Sequence, residues 1–347
     1  MPKPGHYRIF AALVAVAAVL ATVLTTGCQS DHPDAIYQNY LTRLGRTLEV
    51  PAPQPSLAAI ARPPRPGQLK LELAASRLDA LDFLAVSGCA VQVTIGKRNS
   101  SLGRMARDSQ RLLLNLEFLQ LAPECIAFQR EQGNSEAADT LEQAWQLKQQ
   151  QLPALIFNAT LASAEYRSFW SSPEARTSRP TAGGSEVITA LEAINNNARR
   201  WLAGDYPADN RAFEILLSTV AGGDGGALLK ALARQDGWLA AADTLVQQRL
   251  AKGPLCTPGL RPAAADILPN VIRNYFIGEI QPQSAILGRR YHELLPEVSE
   301  LEDLLHSALP QLSRNWQRAR DTRIEDYDEA PPRHVEQLKA LQDPCKK

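Results

Sequence analysis

Two long stretches of this chain place apolar side chains at alternating steps of four and three residues. The first runs through Leu141, Trp145, Lys148, Leu152, Leu155, Ala159, Ala162, Tyr166 and Phe169. The second runs through Leu287, Tyr291, Leu294, Val298, Leu301, Leu305, Ala308 and Leu312. That spacing gathers side chains onto one seam of a helix, the geometry of helices packed at shallow angles in a bundle. Pro153, Pro296 and Pro310 interrupt the runs, so kinked or consecutive shorter helices are expected rather than single rods. Further helical segments are expected near Val187–Leu202, Ala208–Val220, Ala227–Leu232, Trp238–Leu250 and Ile267–Ile280. The chain therefore reads as all-α, a multi-helix, bundle-like body with kinked helices.

The N-terminus is of a different kind. Lys3 and Arg8 precede an uncharged apolar stretch, Ile9–Leu24, and then come the small residues Thr25, Thr26 and Gly27 before Cys28. Positive, apolar, small is the order of an export signal. The stretch is about 16 residues, short of the roughly 20 that a membrane span needs, and no second transmembrane helix is expected downstream. A Cys at the cleavage point can carry a thioether-linked diacylglycerol, and Thr25-Thr26-Gly27-Cys28 resembles the bacterial lipobox. It departs from the commonest form in having Leu24 four rather than three places before the Cys. Residues 1–27 are thus expected to be a lipoprotein signal and Cys28 a lipidated anchor. Gln29, in the place where sorting rules put Asp for inner-membrane retention, points to the periplasmic face of the outer membrane.

Of the five cysteines, lipidation of Cys28 leaves Cys89, Cys125, Cys256 and Cys345. An even set of thiols in an oxidising compartment suggests two disulfides, with three connectivities open. Pairing of sequence neighbours, Cys89 with Cys125 and Cys256 with Cys345, closes the smaller loops and staples each half of the chain. On the chain-entropy model each bridge is worth roughly 3–5 kcal/mol. Metal ligation by these thiols is the weaker reading, because no Cys-x-x-Cys or Cys-x-x-His spacing occurs. No metal and no cofactor is expected.

Residues 28–67 read as a tether with a short periodic segment, Ala35–Leu48, and a Pro-rich crossing, Val50–Gly67. Residues 68–172 form an N-terminal helical half, 173–184 a linker or loop rich in Pro and Gly, and 185–347 a C-terminal helical half. Leu78, Leu81, Phe83, Leu84 and Ala85 suggest a short helix ended by Gly88, and Ala90–Ile95 is the best strand candidate. Asn99, Ser100 or Ser101 can cap a helix that shows Leu102, Met105, Ala106, Ser109, Leu112, Leu113, Leu116 and Leu119 on one face.

At Gly88-Cys89, the run Arg98-Asn99-Ser100-Ser101-Leu102-Gly103-Arg104, Ser109-Gln110 and Glu117-Phe118-Leu119, the sequence resembles a bacterial lipoprotein family known as domain of unknown function 3080. Such a resemblance covers nearly all of the chain after the signal. It implies a signal peptide and a lipidated Cys, and carries over no activity.

Candidate chemistry is sparse. A capped helix start flanked by Arg98 and Arg104 can bind an anion through N–H groups and guanidinium, so Arg98, Asn99, Ser100, Ser101 and Arg104 are candidate anion- or ligand-binding residues, with plain helix capping as the competing reading. Ala221-Gly222-Gly223-Asp224-Gly225-Gly226 has the glycines of a phosphate loop but neither its Lys-Ser/Thr nor a preceding strand, and reads as a flexible inter-helix connection. His292 and His306 would lie roughly 21 Å apart on a straight helix and cannot share a metal. Glu325, Asp326, Asp328 and Glu329 read as a solvated acidic surface. No catalytic residue is singled out. Thirty-seven Lys and Arg balance 37 Asp and Glu for a net charge of +0, so the whole-chain field favours neither nucleic acid nor anionic lipid. The sequence points to a non-enzymatic binding or envelope-assembly lipoprotein with a membrane anchor and an envelope protein as candidate partner. A cell-envelope hydrolase or transferase is the alternative.

Overall fold

A computed structural model describes residues 33–60, 62–74, 88–171 and 184–346. The signal, Cys28, Gln29, the expected helix near Leu78–Ala85 and residues 173–183 of the expected linker lie outside the described residues. Within them the fold is all-α, built of bent helices without a strand; an isolated bridge joins Thr257 to Leu260. In chain order the helices are α1 (Ala35–Leu48), the single turn α2 (Pro66–Leu69), α3 (Val91–Asn99), the single turn α4 (Ser101–Arg104), α5 (Asp108–Glu131), α6 (Ser135–Ala159) and α7 (Ala164–Ser171). After residues 172–183 follow α8 (Gly184–Leu202), α9 (Asn210–Ala221), α10 (Gly225–Leu250), α11 (Ala263–Val271), a π-helical segment (Ile272–Ile280), α12 (Gln281–Leu304), α13 (Gln311–Asp328) and α14 (Ala330–Gln342).

The four-three seams become the centre of the molecule. Leu141, Leu152, Leu155, Ala159, Ala162, Tyr166 and Phe169 are buried, as are Leu287, Leu294, Val298, Leu301 and Leu305. Helices α6 and α12 continue through Pro153 and Pro296. Pro310 instead stands at the start of α13, so the second seam ends there: Leu312 is 42% exposed, and Trp316, Ile324 and Tyr327 take over the buried face. The main apolar cluster draws Leu112, Leu116 and Phe157 from before residue 173 and Leu191, Trp201, Leu232 and Tyr327 from after it, so the two expected halves share one core.

A second cluster joins α1, the C-terminal half of α10, α11, the π-segment and α14. The segment expected as a tether supplies Tyr37, Tyr40, Leu41, Leu44 and Leu48 to it. In the π-segment Ile272, Phe276 and Ile280 are the buried residues, a step of four that the wider i→i+5 turn keeps on one face. Helix α10 is continuous where the sequence suggested two segments, and Gly237 lies inside it. The carbonyl of Ser56, in the Pro-rich crossing, passes where a Cβ would stand 2.8 Å away, so the glycine admits the crossing strap rather than ending the helix. The Asn210–Leu250 stretch contains an 18-residue window with mean hydropathy 1.3, as apolar as a membrane span. It is no uninterrupted apolar run, since Asp224, Lys230, Arg234, Asp236 and Asp243 punctuate it, and Leu228, Leu229, Leu232, Leu245 and Val246 are buried inside the protein.

The third cluster lies between α3, α5 and α6. Here the expected strand Ala90–Ile95 is helix: Val91, Thr94 and Ile95 are buried at helical spacing while Val93 is 60% exposed. A lone strand would leave its backbone N–H and C=O groups unpaired, whereas a helix satisfies them internally. Disulfides Cys89–Cys125 and Cys256–Cys345 form as expected, with Cα atoms 5.4 and 5.0 Å apart. The first fastens the N-terminal end of α3 to α5, and the second fastens the C-terminus beside Leu255 and α11.

Candidate functional site

The Arg98–Arg104 run folds into an elbow rather than opening one long helix. Helix α3 ends at Asn99, α4 makes a single turn, and α5 begins only at Asp108. Ser100 is the residue that shapes it. Its hydroxyl donates to the Lys97 carbonyl at 2.7 Å and accepts from the Gly103 N–H at 3.1 Å. A Cβ on Gly103 would stand 2.2 Å from the Lys97 carbonyl oxygen, so only glycine closes the turn this tightly. Arg111 Nη2 donates to the Arg104 carbonyl at 2.9 Å, and Lys70 meets Asp108 at 2.7 Å, which pins the start of α5. Leu102 and Met105, expected on the buried face of a continuous helix, are each 85% exposed because the turn rotates them outward.

Between the elbow, α5 and residues 206–210 lies a half-open cavity of about 530 Å³. Leu102, Ala106, Leu113 and Leu114 supply apolar wall; Gln110, Gln120 and Asn210 supply amides; Lys97 and Glu117 pair at 2.9 Å. Tyr206 closes one side, its hydroxyl accepting from Gln149 Nε2 at 3.1 Å. The volume falls in the range of about 300–1,000 Å³ usual for small-molecule sites.

The five candidate residues do not converge on one point. Ser100 lines this cavity; Arg98 and Asn99 line a neighbouring crevice of about 10 Å³ with Thr94, Asn115, Phe118 and Lys148; Ser101 and Arg104 are exposed and line neither. The crevice holds a buried lysine. Lys148 is 3% exposed, donates to Asn115 Oδ1 at 2.7 Å and stands 5.4 Å from the Phe118 ring centroid. Beside it the Thr94 hydroxyl has no hydrogen-bond partner among the described residues. A lysine on an otherwise apolar four-three seam was the signal in the sequence. Tyr206 and Asn210 carried none, since a loop about a hundred residues away reaches the elbow only through tertiary packing.

Three buried polar networks lie away from the cavity. His334 Nδ1 is 2.6 Å from Asp243 Oδ1, and its Nε2 is 2.6 Å from the Tyr40 hydroxyl. A carboxylate only accepts, so Nδ1–H donates to Asp243, while Nε2 shares a hydrogen bond with the Tyr40 hydroxyl. Acid–base relays have this connectivity, yet all three residues are buried and neither cavity reaches them. The chain of bonds fastens α1 to α10 and α14. Burial, reinforced by Asp243, pushes the Tyr40 phenol well above its ordinary range. In the main core Arg320 makes two parallel bonds to Glu302, at 2.7 and 2.8 Å, with the rings of Trp170 and Trp316 4.9 and 5.0 Å from its guanidinium carbon. Burial disfavours the Arg320 cation, but Glu302 more than offsets this and holds it firmly protonated. Tyr166 donates to the same carboxylate at 2.8 Å, and burial followed by the Glu302 charge raises its pKa.

The third network overturns the flexible reading of the Gly-rich run. Arg290 grips Asp224 through Nε and Nη2 at 2.9 and 2.6 Å, and a Cβ on Gly223 or Gly225 would stand 2.7 or 2.5 Å from the Phe169 ring. The glycines serve close packing, and Phe169 fills the space a phosphate would need. Glu325, Asp326 and Glu329 are exposed, as a solvated acidic surface should be. Among the described residues no group of His, Cys, Asp and Glu is arranged to hold a metal ion. His292 is on α12 and His306 lies beyond its end.

A family model described as protein of unknown function (DUF3080) matches residues 37–346. The chain belongs to that family. The DUF3080 match begins in the first turn of α1 and ends one residue past Cys345, so both disulfides, the elbow and its cavity all fall within it. Neither a curated protein nor a solved structure matches the chain.

Proposed function

We propose that this DUF3080 protein is a membrane-anchored periplasmic lipoprotein, sorted to the outer membrane, whose helical body is a binding module rather than an enzyme. One observation carries the binding half of the reading: the cavity of about 530 Å³ is walled by the elbow, and a serine and a glycine there are both committed to holding the turn. Apolar walls with a few amides at the mouth suit a small ligand or one side chain of an envelope partner. The order of charge, apolar stretch and small residues before Cys28, followed by Gln29, supports the anchor and its address.

Two variants test the reading. Cys28→Ala should move the protein from the membrane fraction to the soluble fraction; retention in the membrane refutes the anchor. A photo-reactive amino acid at Gln110 should capture a bound molecule in intact cells. Ala106→Trp, which fills the cavity, should abolish that capture. Identical capture with and without the tryptophan refutes the pocket as the seat of binding.

A further inference from the structure

The elbow carries a surface that the cavity uses only at its edge. Leu102 and Met105, each 85% exposed, are the most exposed of the large apolar side chains among the described residues. Burial of such groups is what stabilises folded chains, and here the Ser100–Gly103 turn holds them in water instead. Around them stand Arg104, Arg107 and Arg111, all exposed. The acids of the same region are already engaged: Asp108 with Lys70, Glu117 with Lys97, and Glu214 with the Ser109 hydroxyl at 2.6 Å. Among the described residues none of Arg104, Arg107 and Arg111 forms an ion pair. Arg111 spends one N–H on the Arg104 carbonyl, which carries no net charge.

Apolar tips set among uncompensated guanidinium groups match the boundary of an anionic bilayer. Leucine and methionine enter the acyl edge, and the arginines, with apolar stems along the surface and charged heads among the phosphates, neutralise the headgroups. We propose that the elbow, residues 101–107 with Arg111, is a second membrane contact that docks onto an anionic lipid surface. Such a contact is reversible and salt-sensitive, unlike a covalent anchor. The net charge of +0 over the whole chain does not oppose it, since screening limits the relevant field to about 8–10 Å.

The test uses the chain from Gln29 onward, so that neither an acyl chain nor the N-terminal apolar segment contributes. Co-sedimentation is measured with vesicles of phosphatidylcholine alone and of phosphatidylcholine mixed with phosphatidylglycerol. Binding should be tighter to the anionic vesicles and should weaken as salt is added. At about fivefold per arginine, Arg104→Gln/Arg107→Gln should lower partition onto anionic vesicles about 25-fold and change little on neutral ones. Leu102→Ser/Met105→Ser should lower partition on both, with near-ultraviolet circular dichroism unchanged because neither side chain is packed. Equal binding of the parent and the arginine variant to anionic vesicles overturns the proposal. So does self-association in sedimentation velocity that Leu102→Ser/Met105→Ser removes, which would give the patch to a second copy of the chain.

Discussion

Replacing Glu302 by leucine should be among the most damaging single changes in the protein, and replacing Arg320 by methionine at the same time should recover much of the loss. Arg320 has no exposed side-chain surface and Glu302 has 8%. Their two bonds and the flanking Trp170 and Trp316 rings are what make a guanidinium tolerable in the core. With Glu302→Leu the cation keeps only Asp321, at 2.7 Å on the half-exposed rim. Stranding one member of a buried pair costs about 3–5 kcal/mol. The double variant removes both charges. Its remaining penalties are the lost acceptor of Tyr166, about 1 kcal/mol, and the lost cation–π contact, about 2 kcal/mol, the latter partly replaced by methionine sulfur against the same rings. Arg320→Met alone strands the Glu302 carboxylate at a similar cost, so two single penalties of about 4 kcal/mol each against about 3 kcal/mol for the double give an expected coupling energy of about 5 kcal/mol. Urea unfolding followed by tryptophan fluorescence reports it, because two of the fluorophores flank the pair, and unchanged m-values would show that the denatured state is not the source. A cost below about 1 kcal/mol for Glu302→Leu, or strict additivity in the double variant, would refute the claim that the ion pair is held by mutual compensation.

Reducing the disulfides should lower stability by about 4 kcal/mol for Cys89–Cys125 and about 5 kcal/mol for Cys256–Cys345, from loop spans of 36 and 89 residues; a denaturation midpoint indifferent to dithiothreitol would contradict this. Gly225→Ala should cost about 1–3 kcal/mol, since the new methyl meets a fully buried phenyl ring, and Phe169→Leu in that background should restore part of it; a neutral Gly225→Ala in thermal melts argues against the tight packing. Alkaline pH should unfold the protein. Tyr37, Tyr40 and Tyr166 have folded pKa values raised above the unfolded value near 10, so the stability they contribute is complete below pH about 10 and is lost as pH rises beyond it. Each removes about 1.4 kcal/mol per pH unit in that window, and Tyr40→Phe should reduce the slope by one such increment; an unchanged slope would disconnect Tyr40 from the transition.

The helical seams were legible because their cause is local. A four-three rhythm of apolar residues has one low-energy arrangement, a buried helix face, and Leu141–Phe169 and Leu287–Leu305 adopt it. The cystine pairing was legible too, from the parity of the thiols and their order along the chain, and it agrees with the bridges observed. Where the reading failed, a distant partner decided the matter. Val91–Ile95 has strand-like composition but, among the described residues, no second strand to pair with, and α5 offers a helix face instead. The break expected between Leu232 and Trp238 does not occur, and Gly237 inside the continuous α10 makes room for the Ser56 carbonyl. The Gly-rich run at 222–226 looks mobile until Arg290, 66 residues on, clamps Asp224. The elbow divides between the two kinds of cause. Ser100 and Gly103 fix its turn within four residues, which is why the motif could be singled out from sequence alone. Its cavity exists only because Tyr206 and Asn210 arrive from another helix pair, and no local pattern records their arrival.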